Sequence, residues 1–318
     1  MPARTKLLLD CDPGHDDAVA ILVAAHHLDL LGITTVHGNA PLADTTRNAL
    51  AVLELAGIDV SVAAGCAEPL VGKPVHAAHI HGKSGLDGAD LPAPTRTPHD
   101  IHAVDFIIET ARRHRHELVV AVVGPATNLA LALKREPRLA GWLREISVMG
   151  GSTTTGNITP AAEFNIYCDP EAAAALFASG APIRMVGLNV TRQTGFAPED
   201  IARLQSSGQR VAGLIGSLMG FYLERQNQAF GLGLAPMHDV CAIVPFVAPD
   251  LIDYVETTVA VELSGALTRG MTVCDLRGVR RGTAANNPPV VGANARVALQ
   301  ARSRPLIDLV MQAILAYR

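Results

Sequence analysis

With 318 residues, 49% of them apolar and only 18% charged, the chain can bury a sizeable core as one large α/β domain or two smaller ones. A net charge of −4 argues against sequence-independent affinity for nucleic acid phosphates. No window approaches the length needed to span a membrane, and the apolar segment after Met1-Pro2-Ala3-Arg4-Thr5-Lys6 is too short for a signal peptide. The five cysteines, Cys11, Cys66, Cys168, Cys241 and Cys274, are odd in number and lack C-x-x-C spacing, which speaks against a disulfide framework or zinc site and for a reducing, cytoplasmic setting.

Leu7-Leu8-Leu9 predicts a strand over 6–10, and the acid-rich turn after it leads into a helix over 16–27. A strand over 30–37, a helix over 44–56 and a strand over 59–63 follow. The Gly/Pro/His-rich stretch 65–99 is longer than a plain connector and holds His76, His79 and His81, which read either as a polar loop at the mouth of a site or as zinc ligands. Next come a helix over 100–113, a strand over 118–123, a helix over 128–134, a strand over Glu145–Met149, a helix over 170–178 and a strand over Ile183–Val186. Residues 198–230 read as mostly helical, and 254–263 with 271–275 as a hairpin-like return. The basic runs 112–116 and 277–281 are assigned to a helix C-terminus, where cations complement the dipole, and to a solvated loop. Strands separated by helices of ten to fifteen residues predict right-handed βαβ units and a Rossmann-like, mainly parallel sheet flanked by helices. Without a low-complexity linker or internal repeat, the expectation is a single α/β domain over 1–318 with a helical excursion near the active site.

Asp10-Cys11-Asp12-Pro13-Gly14-His15-Asp16-Asp17 places four carboxylates in eight residues at a strand's carboxyl end. The helix dipole explains one or two acids in a first turn, but a hard cation explains four converging acids better. Gly38-Asn39 and Gly124-Pro125-Ala126-Thr127-Asn128 follow other strands on the same sheet edge. Thr127 and Asn128 also fit a helix N-cap, and a backbone carbonyl turned to a cation would be compatible with that. From Met149-Gly150-Gly151 through Gly156-Asn157 to Glu163-Phe164-Asn165, a glycine-rich loop ends in amides and an acid, chemistry suited to a polyhydroxylated ligand. In Met237-His238-Asp239, the acid reads as a cap or as a further metal ligand, and the histidine as a proton donor.

Taken together, these segments resemble the inosine-uridine-preferring nucleoside hydrolase family over nearly the whole chain. The resemblance rests on the run Asp10 to Ala18, on His37-Gly38-Asn39, His81-Gly82, Gly124 to Asn128, Gly156-Asn157, Ala162-Glu163-Phe164-Asn165-Ile166 and His238-Asp239. It implies a calcium-dependent enzyme that cleaves the N-glycosidic bond of ribonucleosides of the inosine/uridine type to ribose and free base, working as a homo-oligomer, dimer or tetramer. Carried over residue by residue, the calcium ligands would be Asp12, Asp17, the Thr127 carbonyl and Asp239, with Asp12 also activating a metal-bound water. Asp16, Asn39 and Asn165 would hold the 2′- and 3′-hydroxyls, and Asn157 and Glu163 the 5′-hydroxyl. His81 and Tyr222 would also contact substrate, His238 would serve the leaving group, and Asp10 would support the ligands from behind. Relatives often place aromatics one turn apart in the helix before His238; here Tyr222 is followed four residues on by Gln226, and Tyr222 and Phe230 read equally well as core.

Two other readings compete. Asp-x-Asp at a strand end also opens the haloacid-dehalogenase-like phosphohydrolases, but Pro13 follows Asp12 and no late acidic pair matches. A non-catalytic nucleoside-binding protein would keep the amides and could lose the water-activating acid; all the acids are present.

Overall fold

The computed structural model describes residues 4–277, 279 and 292–318. Its strands are β1 (Lys6–Cys11), β2 (Asp29–Thr35), β3 (Val62–Ala64), β4 (Val119–Val122), β5 (Glu145–Met149), β6 (Ile183–Val186), β7 (Gly195–Phe196), β8 (Ala235–Pro236), β9 (Ile252–Thr257), β10 (Val259–Val261), β11 (Thr272–Cys274) and β12 (Ala295–Ala301). Eight of them form one sheet in the order β3-β2-β1-β4-β5-β6-β12-β9. Every neighbouring pair is parallel except β12 with the edge strand β9. The protein is thus a single α/β domain built on a mainly parallel sheet.

The pleat explains why β1 reads as an unbroken apolar run. Leu7, Leu9 and Cys11 join one core, which includes buried residues of the helices His15–His27, Leu42–Leu55 and Ser303–Leu315. Leu8 joins the other, with residues of Ala103–Arg113, Thr127–Arg135 and Pro170–Phe177. A strand covered on both faces has no polar side to show. The chain adds β2 and β3 on one side of β1 and β4 to β6 on the other, so the order reverses between β1 and β4. In an open parallel sheet the crevice at that reversal lies outside the carboxyl ends of the strands. The segments after β1, β2, β4 and β5 all emerge at that edge.

Several expectations are corrected. The strand expected over 254–263 divides: β9 joins the main sheet, and only β10 pairs with β11. β12 and the helix Ser303–Leu315 extend the sheet and one helical layer beyond what the sequence suggested. Ala295-Arg296-Val297-Ala298-Leu299-Gln300-Ala301 has three alanines and two polar interruptions, weak strand chemistry that is satisfied by pairing with β6 and β9 on its two sides. The stretch 198–230 is mostly helical as expected, in two helices, Pro198–Gln205 and Arg210–Phe230. The helix expected over 100–113 starts at Ala103, where the His102 side chain accepts the Val104 N–H at 3.2 Å, and it ends with Arg112 and Arg113 in its last turn. Thr127 and Asn128 do not cap their helix; the N-cap is Ala126 and makes no side-chain bond. Of the basic run 277–281, Arg277 pairs with Asp275 at 2.7 Å, and 278, 280 and 281 lie outside the described residues. Among the described residues, no helix is long and apolar enough to cross a membrane.

Candidate functional site

At the carboxyl end of β1 the turn Asp12-Pro13-Gly14 feeds the helix His15–His27, with Gly14 at its N-cap. Asp17, at the third helical position, reaches back to accept the Gly14 N–H at 2.9 Å and the Asp12 N–H at 3.3 Å, so its carboxylate closes the turn it follows. Asp12 Oδ2 accepts the Asn39 N–H at 2.6 Å, whereas its Oδ1 is buried without a partner. Glycines flank this carboxylate: a Cβ on Gly124 would lie 2.7 Å from Oδ1, and one on Gly38 would overlap Oδ2. The glycines noted after β2 and β4 therefore make room for an acid. Asp10 is buried one pleat further back, where Oδ1 accepts from Thr34 at 2.6 Å and Asn128 at 2.8 Å. Asn128 also accepts the Cys66 N–H and donates to Thr35 O, so it stitches β1, β2 and the following loop.

Asp16, Asp17 and Asp239 bring one carboxylate oxygen each to within 4.8 Å of one another, all buried. Asp12, expected beside Asp17 and Asp239, is not part of this closest triplet, and Asp16, expected on the sugar, is. Asp17 and Asp239 lie in side-chain hydrogen-bond contact. Two ionised carboxylates cannot make that contact, so it needs a shared proton or a cation. Burial pushes Asp12, Asp16 and Asp239 well above the usual carboxylate range, neighbouring carboxylates add to it, and Asp17 is raised by burial to about 6. Such a cluster is strained when ionised and relieved by a divalent cation. The all-oxygen donor set and the unpartnered Asp12 Oδ1 fit a hard cation. The Thr127 side chain is otherwise engaged: Oγ1 donates to Asp169 at 2.7 Å and lies 3.2 Å from His37 Nε2.

Above the acids opens a cleft lined by apolar and aromatic side chains with polar groups among them, the character of a small-molecule site. Asp16, Asn39, His81, Asn157, Glu163, Asn165, Tyr222, His238 and Asp239 line it; Asp12, Asp17 and Thr127 do not. Asn39 commits its Nδ2 to Asp12 O and Asp17 Oδ2, both at 3.2 Å, and Asn165 commits its own to Val123 O at 2.7 Å and Met149 O at 3.2 Å. With the nitrogens held inward, each amide has its oxygen left to accept from a ligand hydroxyl. Glu163, the N-cap of the helix Phe164–Cys168, accepts the N–H groups of Asn165, Gly151 and Ile166 at 2.9–3.1 Å. Asn157 Oδ1 is buried without a partner.

Aromatic and imidazole rings form the opposite wall. His81 Nδ1 lies 3.1 Å from His15 Nδ1, and the His81 ring stacks against Tyr222 at 5.4 Å. His15 is itself stacked on Phe221 and Tyr222, with Nε2 2.8 Å from Asp87 O. Tyr222, Gln226 and Phe230 lie four residues apart on the helix Arg210–Phe230 and line the cleft as one stripe. Phe230 is 38% exposed and so is no ordinary core residue. His238 Nδ1 lies 2.6 Å from Thr191 Oγ1; burial and the Arg192 charge push its pKa down to about 3, so the resting ring is neutral. Of the three loop histidines, His79 and His81 line the cleft and His76 Nδ1 bonds Gly38 O at 2.9 Å; among the described residues they form no metal cluster. His15, Asp169, Thr191 and Arg192 went unassigned from sequence. Only Asp169 had a local signal there, an Asp before Pro170 at a helix start, where it caps Ala172 N at 3.0 Å.

Comparison with known proteins finds the chain similar to nucleoside hydrolases. Residues 7–303 match the family model for inosine-uridine preferring nucleoside hydrolases. The chain is 43% identical over 278 residues to the pyrimidine-specific ribonucleoside hydrolase RihB of Escherichia coli O1:K1, covering 87% of this chain and 89% of that one. Among solved structures, the purine-preferring ribonucleoside hydrolase from Gardnerella vaginalis superposes with a TM-score of 0.90 at 31% identity, covering 98% of each chain. The plant nucleoside hydrolase PpNRh1 does so with the same score and identity, over 98% of this chain and 99% of that one.

Proposed function

The chain belongs to the inosine-uridine preferring nucleoside hydrolase family, and from that premise we propose that it cleaves the N-glycosidic bond of pyrimidine ribonucleosides, with calcium as its cofactor. The choice of pyrimidines rests on the 43% identity to a pyrimidine-specific relative. The metal ligands in this reading are Asp12, Asp17, Asp239 and the Thr127 carbonyl, with Asp16 close enough to share the cluster. A bound calcium ion supplies charge that offsets the buried carboxylates, a template for the sugar diol, and acidification of water.

The chain's own groups divide the remaining work. Asp12 Oδ1, the buried oxygen without a protein partner, accepts the proton of the attacking water. Asn39 and Asn165 accept from the 2′- and 3′-hydroxyls through the amide oxygens that their inward nitrogens leave free, and Asp16 joins them. Anionic groups beneath the ribose stabilise the oxocarbenium-like positive charge that develops as the bond to the base breaks. Asn157 and Glu163 hold the 5′-hydroxyl; Glu163 is locked by three backbone N–H groups, so it offers a fixed rather than an adaptable contact. His81, Tyr222 and Gln226 surround the base. With Thr191 at Nδ1, a neutral His238 can keep its N–H on Nε2 and donate a hydrogen bond that stabilises the departing base.

The observation that carries this reading is the convergence of four buried carboxylates with two asparagines whose nitrogens are already committed. A binding protein would need the amides without the unpartnered Asp12 oxygen. The family match likewise leaves no room for a haloacid-dehalogenase-like phosphohydrolase. Release of free ribose across uridine, cytidine, inosine, adenosine and guanosine tests the proposal: uridine and cytidine should lead, and a preference for purines would refute the substrate assignment. The reading extends to residues 1–318 acting as one nucleoside hydrolase-like domain in a cytoplasmic homo-oligomer, dimer or tetramer, which light scattering would resolve.

A further inference from the structure

We propose that Arg192 is a positioning residue for substrate binding, one guanidinium that clasps two walls of the cleft mouth: the turn carrying Asn157 and the helix end carrying Phe230. The inference rests on the reading of the cleft as the nucleoside site.

Arg192 follows the short helix Leu188–Thr191, and its N–H returns to Leu188 O at 3.2 Å, which fixes the root of the side chain. From there Nη2 donates to Gly156 O at 2.7 Å and Nη1 to Thr155 Oγ1 at 3.1 Å. The guanidinium carbon lies 5.7 Å from the Phe230 ring centroid. Arg192 does not itself line the cleft, but the residues on either side of the clasp do: Asn157 and Ile158 follow the held turn, and Phe230 is the held ring. The preceding residue, Thr191, bonds His238. Residues 191 and 192 thus grip three separate cleft-lining segments that the sheet alone does not connect.

Phe230 needs such a grip. It is the last residue of its helix, followed by Gly231 in the left-handed region with φ 64°, and it leaves more than a third of its surface exposed. A large aromatic more than a third exposed at a helix end is not held in place by core packing alone. A planar cation against the ring can hold it, and only arginine combines that face with a fork that donates in two directions. The ring so held offers an aromatic face at the mouth, eight residues along the stripe from Tyr222. Because Arg192 acts on the walls and touches neither the acids nor the sugar-facing amides, and its charge reaches His238 without a bond, its contribution lies mainly in binding.

The test combines hydrogen exchange with kinetics on the full chain carrying Arg192→Ala, Arg192→Lys and Phe230→Ala. In Arg192→Ala, amides of 155–158 and 228–231 should exchange faster while the sheet keeps its protection. KM for the best ribonucleoside should rise about tenfold with kcat within about threefold, the signature of lost ground-state binding. Arg192→Lys should recover only part of this, and in the Phe230→Ala background the effect of Arg192→Ala on KM should shrink to about threefold or less. Unchanged exchange in both segments overturns the clasp, and faster exchange with unmoved KM overturns its role in binding. A fall in kcat accompanied by faster exchange throughout the sheet marks a general structural role and also overturns the proposal. If wild type hydrolyses no ribonucleoside, the reading of the site fails and the positioning role with it, whereas the exchange data still report the contact itself.

Discussion

Adding calcium to chelated protein should stabilise it, and more at pH 7.5 than at pH 5. Asp17 is raised from 3.8 to about 6 by burial. A carboxylate raised in the folded state contributes stability that is present below about pH 3.8 and is lost as the pH rises through about 6, here on the order of 3 kcal/mol. At neutral pH the metal-free protein therefore carries an ionised Asp17 among carboxylates whose ionisation burial and mutual repulsion oppose. A cation relieves them, but it competes with protons below pH 6. At a calcium concentration one hundred times the dissociation constant, the stabilisation is about 2.7 kcal/mol. Over 318 residues, with an unfolding entropy of about 2.1 cal/mol/K per residue, that raises Tm by about 4 °C. At pH 5 a ligand that titrates near 6 is only about one-tenth ionised, so the same calcium should yield about half the shift or less. The buried histidines titrate in both the chelated and the loaded protein, so the difference between the two isolates the acids. Differential scanning fluorimetry with chelator and calcium arms at both pH values reads it out. No shift at pH 7.5, or an equal shift at pH 5, would refute the assignment of the acid cluster to a cation.

The other predictions concern turnover. Asp12→Asn should fold with wild-type circular dichroism yet lose about 10²–10⁴-fold in kcat on uridine, since an amide cannot take up a proton; a variant within a few-fold of wild type would remove Asp12 as the base. His238→Ala should slow inosine hydrolysis strongly and spare p-nitrophenyl riboside, whose leaving group needs no proton, whereas equal losses on both would point to a structural role beside Asp239. A site built around the diol should reject 2′-deoxyuridine by about 10⁴–10⁵-fold in kcat/KM relative to uridine, because Asn39, Asn165 and Asp16 would face a missing hydroxyl. A ratio near one would mean that these residues do not hold the sugar.

What the sequence made legible is what local chemistry encodes. β1 announces itself by Leu7-Leu8-Leu9, because burial on both faces leaves no polar alternation, and the acid cluster stands out because four carboxylates so close together have few other uses. The amide and acid residues that line the cleft sit at strand ends and in one glycine-rich loop, places that βαβ alternation brings to a single edge. The strand character of β12 depends on the neighbours it pairs with, so its alanine-rich segment shows little on its own. The division between β9 and β10 was equally hidden, since the β-branched Thr257, Thr258 and Val259 run straight across the junction. Arg192 and Thr191 escaped notice for a related reason: their partners Gly156, Phe230 and His238 lie 36 to 47 positions away, and no local pattern marks them. Most side chains named from sequence lie in the acid cluster or line the cleft, and Thr191 and Arg192, which could not be named, bond to its walls.

The central claim, hydrolysis of the glycosidic bond at a calcium-loaded acid cluster, is tested most directly by incubating uridine with the enzyme in phosphate-free buffer and quantifying uracil and free ribose. The account predicts that both appear in equal amounts, that chelation abolishes their release and that added calcium restores it. Release that continues undiminished after exhaustive chelation, or that requires added phosphate, would contradict it.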